Sequence, residues 1–123
     1  MPFQIIRNDI TKVKADAIVN TANPNVAVGD GVDSAIYKAT GKEKLLEARK
    51  KIGLLMSGEV AITDAFVLEA KYIIHASGPW WTDGSKGEEA CLRSCYVKAL
   101  QLAKYYGCKS RYDFGNMSFT KLK

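Results

Sequence analysis

Residues 16–36 read DAIVNTANPNVAVGDGVDSAI, and this stretch decides the fold. Its opening, residues 16–20, has an unbroken Ala17-Ile18-Val19 centre, which predicts a strand covered on both faces. Residues 21–32 contain Pro24, Gly29 and Gly31 and so predict a loop. A helix then starts near Asp33, a residue suited to an N-cap or first turn. Ala35, Ile36 and Ala39 would form its apolar stripe, and Gly41 would end it. A strand, a glycine loop and a helix in this order form one unit of a layered α/β sheet.

The flanking sequence extends the pattern. Residues 3–7, FQIIR, predict a preceding strand. A second helix is expected over about 42–52, with Leu45, Leu46 and Ile52 inward and its basic residues on a solvated face. Gly53 stands where a left-handed C-cap belongs. Strands are expected at about 59–63 and 72–76. A long helix over about 87–106 would present Leu92, Tyr96, Ala99, Ala103 and Tyr106 at helical period and stop at Gly107.

With 123 residues the chain fits one domain, and 47% hydrophobic with 25% charged residues excludes a disordered class. No apolar run approaches the ~20 residues of a membrane span. The start MPFQIIRND lacks the build of a signal peptide, so a cytoplasmic location is expected. Three cysteines, Cys91, Cys95 and Cys108, read as reduced, half-buried small side chains. With His75 as the one histidine, a zinc site would be hard to complete. The net charge of +5 is spread out, with most of the excess after residue 96, so nucleic acid is not the expected partner.

Three features fall where open α/β sheets bind ligands, beyond the carboxyl ends of strands. Asn8-Asp9-Ile10-Thr11 follows the first strand, Asn20-Thr21-Ala22-Asn23 leaves the second, and Gly29-Asp30-Gly31-Val32-Asp33 opens the first helix. Glycines let backbone approach an anion, and a helix start offers free N–H groups to phosphate. Asparagine amides both donate and accept, which suits sugar hydroxyls. Each feature alone reads as turn or cap chemistry. Their ordered set carries the signal.

The runs NDIT, ADAIVNTANPN and GDGVDSAIYKATG, followed by GEVAIT, AKYIIHASGPW and LRSCYVKALQLA, resemble the macrodomain family over about residues 3–110. They look most like its bacterial single-domain members. The resemblance implies a three-layer α/β/α fold with a mixed sheet, incomplete at its C-terminal end. It implies that Asp9 receives the adenine amino group, with the Ile10 backbone beside it. Asn23 would bind the distal ribose hydroxyls and Asn20 would support that loop. Gly29, Gly31 and Val32 would supply backbone N–H groups to phosphate, and Asp33 would orient or activate water. Asn23 and Asp33 are thus the implied catalytic pair. The implied reaction removes an acyl group or a protein carboxylate from ADP-ribose. The implied partner is ADP-ribose or an ADP-ribosylated small molecule or protein, with no metal and no cofactor. The alternatives are a binding module without catalysis and a fragment without function.

The sequence also departs from the family. Asp30 interrupts the glycines of the phosphate loop. At 4 Å two like charges repel by about 1 kcal/mol in water and about 4 kcal/mol at an effective dielectric of 20, so Asp30 is expected to face solvent. After residue 110 the family would continue with an apolar strand and a second glycine loop, whereas residues 111–123 read RYDFGNMSFTKLK. That segment could form a hairpin around Gly115-Asn116, but it is expected to be a tail outside the resemblance. ADP-ribose binding by these 123 residues is therefore expected to be weak or absent. His75 reads as a core residue or one that supports the site from behind, not a base, and Trp80 and Trp81 receive no role.

Overall fold

The computed structural model describes residues 10–12, 14–22, 25–29, 32–78, 85, 87–108 and 111–113. The strand expected at 3–7 lies outside them. A short 3-10 turn, Ile10–Lys12, precedes β1 (Ala17–Thr21), α1 (Val32–Thr40) and α2 (Lys42–Ile52). Then come β2 (Val60–Asp64), β3 (Tyr72–Ala76), α3 (Glu88–Tyr105) and β4 (Arg111–Asp113). Every helix and strand expected between residues 16 and 107 is present, with ends moved by one residue or two.

The sheet order is β2-β3-β1-β4. β1 runs parallel to both β3 and β4, and β2 runs antiparallel to β3, so the sheet is mixed. Residues 111–113, assigned from sequence to a tail, supply the strand beside β1. In register, Ile18 faces Ile73, Val19 faces Ile74 and Asn20 faces His75.

Side chains alternate across a strand, and the two cores divide accordingly. Ile18 and Ile73 join Ile36, Tyr37 and Leu45 under α1 and α2. Ala17 and Ile74 join Ala99 and Ala103 under α3. The sheet is thus sandwiched, which is the α/β/α layering expected. The alternation also fixes the site: Asn20 and His75, two residues beyond Ile18 and Ile73, face α1 and α2.

Several expectations need correction. The α2 face read as solvated contains Arg49, which is completely buried. Ala35 is exposed, and α1 buries Asp33, Ile36, Tyr37 and Thr40 instead. A polar residue can take a core position only if its hydrogen bonds and charge are met there, and the apolar count cannot see that. Gly53 has a positive φ of 83° but ψ of −153°, so it turns the chain away without forming a left-handed cap. Tyr106 lies past the end of α3 and is 43% exposed. Cys95 takes the inner position on α3 together with Leu92, Ala99 and Ala103.

Candidate functional site

The site grows from the carboxyl ends of β1 and β3. The ladder between them continues one step past β1, where the Ala22 amide donates to the Ala76 carbonyl (2.9 Å). The chain then bends through 25–27, and Val28 packs on the core beneath α1 and α2. That apolar anchor brings Gly29 to the start of α1.

Asp33 sits in the first turn of α1 and is only 3% exposed. Its Oδ2 accepts the Gly29 amide (2.6 Å), closing the loop onto the helix. Its Oδ1 accepts from Asn20 Nδ2 (2.5 Å), tying the helix to the end of β1. A carboxylate near a helix N-terminus also meets the favourable end of the helix dipole. One side chain therefore joins the strand, the loop and the helix.

Asn20 is fully buried. Its Nδ2 also lies 3.5 Å from His75 Nδ1 on the neighbouring strand. On the far side of the ring, His75 Nε2 lies 2.9 Å from Thr63 Oγ1 of β2. The Thr63 hydroxyl donates to the Asp64 carbonyl (3.1 Å). Burial, and then the charge of Arg49, push the His75 imidazole down to about 3, so it is neutral.

Two opposite charges are buried beside this line. Burial and then the Asp33 carboxylate raise Tyr37, while Arg49 acts on it in the opposite sense. Tyr37 thus lies within reach of both the anion on α1 and the cation on α2. A buried charge is costly alone and tolerable when balanced.

The structure brings together Asn20, Gly29 and Asp33 among the residues expected from sequence, with the Val32 backbone opening α1, but the Gly29 N–H, expected to face phosphate, is given to Asp33. Ile10 begins the 3-10 turn, which lies against α1. Asp9, Asn23, Asp30 and Gly31 fall outside the described residues.

A family model described as Macro domain matches residues 19–120. The chain belongs to the macrodomain family. A macro domain-containing protein of Methanosarcina mazei is 48% identical over 108 residues, covering 88% of this chain and 57% of that protein. A Pantoea vagans protein named O-acetyl-ADP-ribose deacetylase 1 is 43% identical over 117 residues, covering 93% and 68%. Among solved structures, an Oceanobacillus iheyensis macrodomain variant with ADPR superposes with a TM-score of 0.80 at 39% identity. That match covers 86% of this chain and 60% of the other. A Trypanosoma brucei macrodomain in complex with ADP-ribose gives 0.78 at 34% identity, covering 87% and 44%. The chain thus spans 57–60% of the length of the Methanosarcina and Oceanobacillus proteins.

In this macrodomain, reading the sequence missed two side chains at the site, Thr63 and Arg49, and the partners of a third, His75. His75 was read as core or as a support behind the site; its burial is complete, and its place opposite Asn20 depends on strand register. Thr63 reaches it from a third strand. Arg49 had a usable signal, because it lies four residues after Leu45 on the same helix face. Among the described residues no cluster of His, Cys, Asp and Glu could hold a metal ion, and no helix is long and apolar enough to cross a membrane.

Proposed function

We propose that this macrodomain recognises ADP-ribose and belongs to a hydrolase that removes acyl or protein esters from it. The observation that carries the reading is the Asp33 carboxylate, pinned by Asn20 and by the Gly29 amide where β1, the glycine loop and α1 meet. A carboxylate oxygen has two acceptor sites, so each Asp33 oxygen keeps one after its bond among the described residues. Asp33 can therefore hold a water while still anchoring the loop. Asn23 would set the distal ribose beside that water, Gly31 and the Val32 amide would face phosphate, and Asp9 with the Ile10 backbone would receive adenine. Catalysis would come from positioning, with no covalent nucleophile. Further support comes from the relatives whose names and titles carry O-acetyl-ADP-ribose deacetylase and ADP-ribose.

The test is Asp33→Ala against O-acetyl-ADP-ribose. Loss of turnover with some ADP-ribose binding kept supports an ester hydrolase. Unchanged turnover removes Asp33 from the reaction and the proposal with it.

A further inference from the structure

The hydrolase reading leaves unused a polar line that crosses the sheet under the site. It runs from Thr63 on β2 through His75 on β3 and Asn20 on β1 to Asp33 on α1, ending at the Gly29 amide. The direction of each bond follows from its partners. The Thr63 hydroxyl has one proton and gives it to the Asp64 carbonyl, so toward His75 it can only accept. His75 Nε2 must then carry the ring proton. At the other end, Asn20 Nδ2 is a donor only, so His75 Nδ1 must accept. Both ends fit the same tautomer, with the proton on Nε2.

The Asn20 amide is fixed in the same way. A carboxylate accepts only, so Nδ2 must face Asp33. Its two protons are then both used, one on Asp33 and one on His75. Turned the other way, the amide would set its oxygen against the carboxylate.

We propose that His75 is a positioning residue of the ligand site. As the Nε2–H tautomer it aims the Asn20 amide at Asp33, and Asp33 in turn holds the Gly29 amide of the glycine loop. The backbone registers Asn20 directly opposite His75, so the alignment is built into the sheet. Among the described residues, the charged groups that face this line are Arg49 from α2 and Asp33 from α1. Only the ligand arm of the test depends on the ADP-ribose reading.

The experiment is NMR on the whole chain with two conservative variants. His75→Asn places an oxygen near Nδ1 and keeps an acceptor for Asn20. His75→Gln places its amide near Nε2 and abandons Asn20. The wild-type ring should show the Nε2–H pattern in a long-range nitrogen–proton spectrum. The Gly29 amide proton should keep its position in His75→Asn and move in His75→Gln. Titrated with ADP-ribose, His75→Asn should stay within about threefold of wild type and His75→Gln should lose about tenfold, the worth of one hydrogen bond. Should His75→Gln fail to fold, Thr63→Val removes the acceptor that selects the tautomer, and the Gly29 amide should move there too. An Nδ1–H ring, or a Gly29 amide unmoved in the folded His75→Gln or Thr63→Val protein, overturns the proposal. Absent ADP-ribose binding by the wild type bears on the ligand arm alone, and the tautomer and Gly29 results decide the role of His75.

Discussion

Acid should destabilise this chain mainly through one side chain. Burial, and secondarily Arg49, hold folded His75 down at about 3, against 6.5 for the free group. The folded pKa is depressed, so the unfolded chain binds the proton first. The stability due to neutral His75 is present above pH 6.5 and is lost as the pH falls toward 3. Each unit below 6.5 costs about 1.4 kcal/mol. The loss is then about 2 kcal/mol at pH 5 and about 5 kcal/mol once the pH reaches 3. Against a total of about 5–15 kcal/mol for a typical domain, that is about a third or more of the whole. Protonation would also set an N–H at Nδ1 against the Asn20 amide, which has only protons to offer there.

Urea unfolding of the wild type and of His75→Asn, at pH 7 and at pH 5, isolates this effect. Carboxylates titrate in both proteins and cancel in the difference. Between these two values the wild type should lose about 2 kcal/mol more than the variant. Equal losses would mean that His75 is not held neutral by its surroundings, and the reasoning would fail.

Asp33→Asn should cost about 1–3 kcal/mol in urea unfolding, because its new N–H must oppose either Asn20 Nδ2 or the Gly29 amide and leave a buried donor unmet; an unchanged midpoint would refute the latch. Ile73→Ala should cost about 2–5 kcal/mol in the same assay, since Ile73 is completely buried between the sheet and α1. Cys95, buried and with its thiol pushed up to about 11, should be the slowest of the three cysteines to react with iodoacetamide at neutral pH, as read by peptide mass spectrometry. Calorimetry on the 123-residue chain should give ADP-ribose affinity weaker than low micromolar, because these residues carry one of the two glycine loops that the family resemblance implies.

What was legible in the sequence followed from periodicity. The Ala17-Ile18-Val19 run, the α3 stripe of Leu92, Ala99 and Ala103, and the glycine loop before Asp33 all led to elements the structure contains. The pairing of Asn20 with Asp33 was half legible: both were chosen, for separate reasons, and neither choice foresaw that they bond to each other. Thr63 was illegible as part of the site, and for His75 a supporting place was open but its partners were not legible. Their relation to Asn20 depends on which strands are neighbours and in which register, and 55 residues separate Asn20 from His75. Arg49 was misread because a basic helix face normally meets water. Here it is completely buried, and its charge acts on Tyr37 and His75.

The polar line also bears on how a loop proposed to meet a ligand can be built on this sheet. Glycine loops lose more conformational freedom on ordering than other segments, so an anchor near the start of one should favour binding. Gly29 is anchored by a carboxylate and not by a backbone ladder, and that carboxylate is held by an amide with no donor left to spend. A ladder bond would fix Gly29 to a strand and pull the loop into the sheet. A side-chain anchor from α1 fixes it to the helix start, where N–H groups can meet an anion. The arrangement requires a neutral acceptor behind Asn20. Lysine or arginine has none to offer, and a carboxylate there would set a second buried negative charge near Asp33. Neutral histidine, held to one tautomer by Thr63, meets that requirement and keeps the second proton of Asn20 occupied.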